Sequence, residues 1–463
     1  MKYNNQRNPI LPLDVHIPDS EAHVMPDGKV YVYGSYDDRT DEYCSEKYHV
    51  VSTADMKEWT IHEESFNGHQ APWFLDSDAP KYPGIDWSHP TPFIQKMLQR
   101  DLENGVDMKE KFENDEKNQG ERPSLLFAPD CIEKDGKYYL YFCMPDDSEG
   151  VAVSDRPEGP FTDPVQLPCG GIDPAVFRDD DGTVYYYWGQ LFSHGVKLNE
   201  DLLSFDPENI VHDLVTEEKH FFHEGSSMRK CGDNYYYVYA DMERGKPTSL
   251  GYSIGKSPLG PFEYKGIIID NAECDPESWN NHGSIECIDG QWYIFYHRSS
   301  RGSQLHRRLC IEKIEILEDG TIPEVKMTSQ GIGEPFAPGE KIMGYQSCGL
   351  KGTSFINVNE NTDEKEEYPE LITNLSVGDR MIFRYVKSDE LWKQAEIEFH
   401  GTGKIRVKMN GAEAGMIELC CDDQSDGGIC SASASIEMPA GEYELELEVL
   451  ETEGLEILSV ILR

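Results

Sequence analysis

The sequence predicts an all-β protein: a five-bladed β-propeller followed by a jelly-roll-like β-sandwich. Three observations lead to this prediction. A phrase of one turn and one aromatic strand recurs five times before residue 330, the chain holds 25 Tyr and 7 Trp, and the pattern changes after that point. Aromatic and β-branched side chains favour half-buried strands, and a repeat of about 50 residues is typical of propeller blades.

The recurring phrase is a Gly-containing turn followed by alternating aromatic and aliphatic residues. Asp-Gly before such a run is a strong signal for a β-hairpin. A second strand-like run follows each copy, and two of these runs end in Gly-Pro-Phe. Five units of about four strands each predict five blades. The copies are DGKVYVYGSYD (27–37), DGKYYLYF (135–142), DGTVYYYWG (181–189), CGDNYYYVYA (231–240) and DGQWYIFYH (289–297).

The predicted domains follow from where this pattern begins and stops. The propeller is expected to span 1–330, with a charged, partly helical insertion at about 91–124. That insertion either elaborates the surface or forms a wall of the substrate pocket. The Gly- and Pro-rich stretch 331–342 indicates a linker. Residues 343–463 alternate apolar and polar positions over short strands, which predicts the sandwich.

The charge and composition narrow the partners. A formal net charge of −44 repels phosphate backbones and anionic lipids, so neither nucleic acid nor membrane is an expected partner. No apolar run is long enough to span a bilayer, and the N-terminal MKYNNQRNPILPLDV lacks the apolar core of an export signal. The 12 Cys have no metal-type spacing, so reduced thiols and a cytoplasmic location are expected. The oligomeric state stays open.

Just before each aromatic hairpin lies a segment that is predicted to form the innermost strand of its blade. Four of these segments carry an acid at a similar distance from the turn Gly, and the fifth carries a histidine. Inner strands line the central channel of a propeller, so these side chains are expected to converge near the axis. They are Asp19 in 16–24, Asp130 in 127–133, Asp173 in 171–179, Glu224 in 223–230 and His282 in 280–287.

Converging carboxylates favour a particular chemistry. Mutual repulsion and burial raise the pKa of at least one carboxyl, which separates an acid from a base. Cleavage of a glycosidic bond needs this combination, because a protonated carboxyl assists the leaving oxygen while a carboxylate activates water. A turn or capping role is the alternative for any single Asp. It suits Asp181, which precedes Gly182, better than Asp173, which lies between Ile172 and Pro174.

The inner segments resemble glycoside hydrolase family 43, in the branch of arabinofuranosidases and arabinoxylan arabinofuranohydrolases. The resemblance covers roughly 8–325 and is carried by NPILPLDVHIPDSEAHV, FAPDCIEKDGKYYLYF, GGIDPAVFRDDDGTVYYYWG and HEGSSMRKCGDNYYYVYA. It implies an inverting hydrolase that releases L-arabinofuranose, or D-xylose, from arabinoxylan- or arabinan-type oligosaccharides and requires no cofactor. Asp19 would be the general base, Glu224 the general acid, and Asp173 the residue that orients Glu224 and tunes its pKa.

The same resemblance implies further site residues. His282 matches the family's axial histidine, which would hold a calcium ion in the propeller centre through waters; a buried, hydrogen-bonded histidine is the alternative. Arg307 or Arg308 would bind the sugar; alternation along a strand turns only one of them inward, and Arg307 is the favoured one. Phe127, which stands where Trp is commoner, and Trp188 would form apolar walls, with a core role as the alternative. Asp130 is also expected to contact the substrate.

The C-terminal domain resembles carbohydrate-binding module family 6 over EKIMGYQSCGLKG and SVGDRMIFRYV. Sugar binding needs an aromatic platform, and Trp392 is the only Trp of this domain. A structural domain that packs on the propeller is therefore favoured over a working sugar-binding module.

Three rival functions stay open at this level. A β-xylosidase and an endo-arabinanase would use the same scaffold and the same acids. A non-catalytic carbohydrate-binding propeller would leave the inner acids replaceable. Retaining sucrose and fructan hydrolases fit less well, because their Asn-Asp-Pro-Asn-Gly type of nucleophile motif is absent.

Overall fold

The structure is a computed structural model that describes residues 1–85, 90–107, 123–420 and 428–463. Five separate antiparallel sheets account for the strands up to Ile314. Their strands are β1 (Lys2–Asn4), β2 (Glu21–Val24), β3 (Val30–Tyr33), β4 (Lys47–Thr53) and β5 (Glu58–Asn67); β6 (Phe127–Lys134), β7 (Lys137–Cys143), β8 (Ser148–Ser154) and β9 (Thr162–Gly170); β10 (Ala175–Arg178), β11 (Val184–Trp188) and β12 (His194–Lys197); β13 (Phe222–Cys231), β14 (Asn234–Asp241), β15 (Ser249–Gly255) and β16 (Phe262–Asp270); β17 (Ser284–Ile288), β18 (Gln291–Ser300) and β19 (Ser303–Ile314).

These sheets are the blades of a five-bladed propeller, which confirms the predicted fold. Within each blade, successive strands pair with one another, and in the first blade β1 is added outside β5. The inner strands contact each other in a closed ring that runs β2, β6, β10, β13, β17 and back to β2. A bridge between Ser20 and Gly283 joins the first blade to the last. The predicted Asp-Gly turns connect the strands, and Gly182 takes the left-handed conformation that such a turn requires, with φ 85°.

The inner strands begin later than the sequence predicted. Asp19, Asp173 and His282 precede β2, β10 and β17 instead of lying within them. Asp19 and Asp173 have φ values of 56° and 55°, which lie in the left-handed region and cannot continue a strand. Three of the five residues predicted to converge from the inner segments therefore lie in the backbone just before the inner strands.

Helices are short and few among the described residues: α1 (Pro72–Leu75), α2 (Pro92–Glu103) and α3 (Glu217–His220). α2 lies in the predicted insertion and starts where the Thr91 side chain accepts a hydrogen bond from the amide of Ile94. It buries Ile94 and Met97. Residues 108–122 of the insertion lie outside the described residues. None of the described helices has the length and apolar character needed to cross a membrane.

The remaining strands form a single nine-stranded sheet that curls around one apolar core, giving the second all-β domain. Two long strands, β25 (Trp392–Met409) and β28 (Gly441–Leu462), pair along most of their length and organise the sheet. The strands are β20 (Lys341–Met343), β21 (Gly349–Lys351), β22 (Phe355–Val358), β23 (Glu370–Thr373), β24 (Arg380–Ser388), β25 (Trp392–Met409), β26 (Ala412–Leu419), β27 (Cys430–Met438) and β28 (Gly441–Leu462).

The sheet domain packs tightly on the last two blades. Its Cys348 and Ile382 belong to the same apolar cluster as blade residues such as Tyr296. The Glu370 carboxylate, which is 2% exposed, accepts hydrogen bonds from Arg308 at 2.5 Å and from Arg301 at 3.2 Å. Both apolar packing and a buried ion pair therefore join the two domains.

The expectation that every thiol is reduced is not met. Most free cysteines of the described residues lie in the interior, but Cys430 at the start of β27 is disulfide-bonded.

Candidate active site

A cavity of about 330 Å³ opens where the inner strands begin. Six of the predicted site residues line it, and each lies at or just before the N-terminal end of an inner strand, except for one on β19. They are Asp19, Phe127, Asp173, Glu224, His282 and Arg307. The repeat predicted that Asp19, Asp173, Glu224 and His282 converge, and the resemblance added Phe127 and Arg307; the structure brings these six side chains together.

Asp19 is a buried carboxylate paired with a guanidinium. Its Oδ1 accepts a hydrogen bond from Arg307 Nη1 at 2.8 Å, and His297 Nδ1 lies 3.4 Å from the same oxygen. Burial raises the pKa of Asp19, but the charge of Arg307 leads the opposing effects, which leave this pKa below its ordinary value. The charged form of Asp19 is thus favoured, which suits a group that must accept a proton.

Asp173 has the opposite electrostatic environment. Its Oδ2 accepts a hydrogen bond from the backbone amide of Gly225 at 3.0 Å, and its own amide points at Cys143 Sγ. Burial, followed by the charges of Glu224 and Asp19, raises the pKa of Asp173 well above its ordinary value. Asp173 therefore tends to keep its proton, and it ties down the backbone directly after Glu224.

Glu224 stands on β13, where the pairing with β14 is irregular on both sides of it. The bulged backbone turns this side chain into the pocket. Gln190 Nε2 donates a hydrogen bond to Oε2 at 2.8 Å, and Asn280 Nδ2 donates to Oε1 at 3.4 Å. His223 Nε2 lies 3.7 Å from Oε2. Each carboxylate oxygen of Glu224 thus has a polar neighbour that fixes its direction.

Arg307 occupies the position predicted for it, while Arg308 turns away to Glu370. The Arg307 guanidinium donates two hydrogen bonds of 2.9 Å to Asp37, in addition to the contact with Asp19. The ring of Tyr43 lies 4.8 Å from the guanidinium carbon. Most N–H donors of Arg307 therefore bind carboxylates, and Arg307 holds Asp19 in place.

His282 is buried between the two aspartates. Its Nδ1 lies 3.9 Å from Asp19 Oδ1 and 3.8 Å from Asp173 Oδ2. Burial lowers the pKa of His282, so the neutral ring is favoured. One neutral imidazole beside two carboxylates fits a hard cation such as calcium only through bridging waters, because calcium prefers six to eight oxygen ligands.

Two residues predicted to contact the substrate, Trp188 and Asp130, do not line this cavity. Trp188 is 2% exposed and packs in its blade against Tyr186 and Phe205, so it does not line the pocket. Asp130 is completely buried and points along the channel, where it binds His23 at 2.6 Å and the amide of Val176 at 2.7 Å. The repeats carry similar aromatic strand residues and similar inner acids, so the sequence does not show which of these residues face the cavity. The packing of neighbouring blades decides this.

Asp130 belongs to a second cluster beneath the pocket. Within the described ranges, Glu21, His23 and Asp130 form the only group of three or more potential metal-ligating side chains with all ligand atoms within 4.8 Å of one another. Arg229 Nη2 binds Glu21 at 3.0 Å, so a positive charge already lies there. Because the guanidinium of Arg229 already occupies this cluster, Glu21, His23 and Asp130 do not fit a divalent cation well. The cluster acts as a buried ion-pair network.

The sequence argument missed several lining residues. Tyr43, Cys44, Gln190 and Trp279 come from outside the inner segments, while His223 and Asn280 are the first residues of two of those segments. Asp37 and His297, which support Arg307 and Asp19 from behind, were missed as well. Both stand at the end of an aromatic hairpin phrase, at GSYD and IFYH, and this shared position was the available signal.

A propeller with a carboxylate-lined axial pocket defines a class of carbohydrate-cleaving enzymes, and the comparisons agree. The model of glycosyl hydrolases family 43 matches residues 82–322, a little more than half of the chain. The chain therefore belongs to glycosyl hydrolase family 43 and is a glycosidase.

Individual relatives point the same way. A xylosidase/arabinosidase of Thermoclostridium stercorarium is 28% identical over 95% of this chain and 94% of its own length. The arabinoxylan arabinofuranohydrolase of Bacillus subtilis (strain 168) is 27% identical over 72% of this chain and 66% of its own length. A further match is the solved structure of a family 43 β-xylosidase/α-arabinofuranosidase from a compost metagenome, in its calcium-free form with xylotriose. It is 27% identical to this chain and has a TM-score of 0.52, and the match covers 70% of this chain and 99% of the solved chain.

Proposed function

We propose that this enzyme is an inverting α-L-arabinofuranosidase that removes arabinofuranose from arabinoxylan-type oligosaccharides. The observation that carries this proposal is the electrostatic contrast in the pocket: Asp19 is paired with Arg307, while Glu224 is held by neutral amides. The carboxylate of Asp19 is thus suited to be a base, and Glu224, held by neutral donors, is assigned the role of the acid. Names of relatives that include arabinosidase and arabinofuranohydrolase support this sugar.

The proposed mechanism is a single displacement. Asp19 accepts a proton from a water molecule, which attacks the anomeric carbon, while Glu224 gives its proton to the leaving oxygen. Asp173 keeps the backbone of Glu224 in place through the amide of Gly225. Arg307 and His297 hold Asp19, so the proton acceptor does not move away from the water.

Hydrolysis of two aryl glycosides tests the sugar and the residues together. The wild-type enzyme is expected to cleave p-nitrophenyl α-L-arabinofuranoside faster than p-nitrophenyl β-D-xyloside. Asp19→Asn should abolish turnover of both, and Arg308→Lys, on the neighbouring position of β19, should leave it unchanged. Faster turnover of the xyloside would move the assignment to a β-xylosidase, which the xylosidase names of the relatives make the second candidate.

The stereochemistry is tested independently by proton NMR. Single displacement predicts that the first sugar released from an α-arabinofuranoside is the β-anomer, which then mutarotates. The α-anomer as first product would instead require a covalent intermediate and would overturn the assignment of Asp19 as a base.

The sheet domain is proposed to have a structural role. Trp392, the one Trp that a sugar platform would need, is 1% exposed and lies in the domain core. Affinity electrophoresis on arabinoxylan tests this with the wild type and the pocket variant Asp19→Asn. Short oligosaccharides, which occupy the pocket, should relieve any retardation of either protein. Retardation that oligosaccharides in the pocket do not relieve would assign sugar binding to the sheet domain.

The predicted calcium ion is part of this proposal as well. His282 would hold it through waters, next to the carboxylates of Asp19 and Asp173. Added calcium should then raise the melting temperature of chelator-treated wild-type enzyme, and His282→Ala should remove this rise. Equal melting temperatures with and without calcium would show that no ion binds there.

A further inference from the structure

One aromatic side chain stands out at the mouth of the pocket. Trp279 is 47% exposed and is the only exposed Phe, Tyr or Trp in the part of the chain that the structure describes. The other described Trp residues are buried or half-buried in blades or domain cores. Exposing a large indole ring to water costs free energy, so its position at an active site calls for a functional explanation.

The ring is held by a rigid segment. The carbonyl oxygen of Asn280 accepts hydrogen bonds from Asn271 Nδ2 and His297 Nε2, both at 3.0 Å. Next to it, the amide of Asn281 donates to Pro247 O at 2.7 Å. The backbone that carries Trp279 is therefore fixed on its C-terminal side, while the indole itself stays in solvent. A preformed platform of this kind loses little entropy when a ligand covers it.

The location of Trp279 relative to Glu224 decides what this ligand is. Asn280, the next residue, donates its side-chain hydrogen bond to Glu224 Oε1. The general acid protonates the oxygen of the leaving group, so the leaving group must lie on the side of the pocket where Glu224 stands. Trp279 lines the same cavity on that side.

We propose that Trp279 is the stacking platform for the first sugar of the leaving group, a pyranose ring of the oligosaccharide main chain. Axial C–H bonds give a pyranose an apolar face that covers an indole ring, and a xylopyranose has no hydroxymethyl group to obstruct this contact. The ammonium group of Lys246 lies 5.9 Å from the centre of the indole ring, close enough to orient it. This inference rests on the proposed function, because it takes Glu224 as the acid.

The test compares substrates with and without a ring in the leaving group. Trp279→Ala and Trp279→Phe are assayed on an arabinosylated xylotriose and on methyl α-L-arabinofuranoside, whose leaving group is methanol. Trp279→Ala should lower kcat/KM about tenfold or more on the oligosaccharide, equivalent to about 1.4 kcal/mol. It should change kcat/KM on the methyl glycoside less than twofold, and Trp279→Phe should recover part of the oligosaccharide activity. Leu317→Ala, which truncates another exposed apolar side chain, is the matched control.

Equal losses on both substrates, or no loss on the oligosaccharide, would overturn the platform. Failure of the proposed function is seen separately with Glu224→Gln on an arabinofuranosyl fluoride, which needs no proton to depart. If Glu224 is the acid, this variant keeps fluoride hydrolysis and loses oligosaccharide hydrolysis, whatever Trp279 does. Binding gives a readout without turnover: xylobiose should quench the tryptophan fluorescence of the wild type, and Trp279→Phe should abolish this quenching. A quench that persists in Trp279→Phe would contradict the contact.

Discussion

Replacing Arg307 with methionine should shift the pH dependence of the reaction. The guanidinium lies 2.8 Å from Asp19 Oδ1, and at an effective dielectric constant of about 20 the attraction between two such charges is about 6 kcal/mol. Water replaces part of this attraction when Arg307 is removed, so the pKa of the Asp19 carboxyl is expected to rise by less than the full attraction implies. Without Arg307, burial is left to raise the pKa of Asp19.

The sign follows from the role of Asp19. A general base works only when it is deprotonated, so a raised pKa moves the acid limb of the kcat/KM profile to higher pH. We expect this upward shift in kcat/KM profiles measured with an aryl arabinofuranoside between acidic and neutral pH. Arg308→Met is the control, because this neighbour binds Glu370 and not the pocket. An acid limb that stays in place in an active Arg307→Met enzyme would refute Asp19 as the base.

The variant also loses the partner of Asp37, which costs stability. Leaving one member of a buried ion pair unpaired costs about 3–5 kcal/mol, so thermal melting must first show that Arg307→Met is folded. Arg307→Lys is the milder variant, since an ammonium keeps the charge but cannot make both the Asp37 and Asp19 contacts. Its acid limb should move in the same direction by a smaller amount.

Two further predictions concern stability. The buried Glu149 has one carboxylate oxygen without a partner, and burial raises its pKa to about 8. The folded state therefore binds more protons than the unfolded state between about pH 4.5 and 8, and stability falls as the pH rises through this window. Relative to wild type, Glu149→Gln should gain up to about 5 kcal/mol across the window, as measured by urea unfolding at both ends; a constant difference would refute the shift. Glu370→Ala leaves Arg301 and Arg308 without their shared carboxylate, so unfolding should become easier by about 3–5 kcal/mol. An unchanged urea midpoint would show that this pair does not hold the domains together.

Much of the site could be predicted because a propeller repeats its geometry. Once the aromatic hairpins located the blades, equivalent positions just before them had to meet at the axis, which placed Asp19, Asp173, Glu224 and His282 together. Alternation along β19 also predicted that only one of Arg307 and Arg308 faces the pocket, and that residue is Arg307. In these cases the periodicity of the sequence and the symmetry of the fold carry the same information.

The rest depends on contacts that no single repeat contains. Gln190 and Asn280 reach Glu224 from different blades, and their distance to it is set only when the ring closes. Trp188 and Trp279 are both aromatic residues close to site motifs, yet one is buried in a blade and the other is exposed at the pocket. Asp130 shares its position in the repeat with the catalytic candidates but turns to His23, because its partners lie on the neighbouring blades.

The central claim, that Glu224 protonates the leaving oxygen, is tested most directly by varying the leaving group. Glu224→Gln and wild type are assayed on a series of aryl α-L-arabinofuranosides whose phenols span a wide range of acidity. The variant is expected to nearly match wild type on the most acidic phenol and to lose about 100-fold or more on the least acidic one, the range that general acid catalysis contributes. An equal loss across the whole series would contradict the role of Glu224 as the acid.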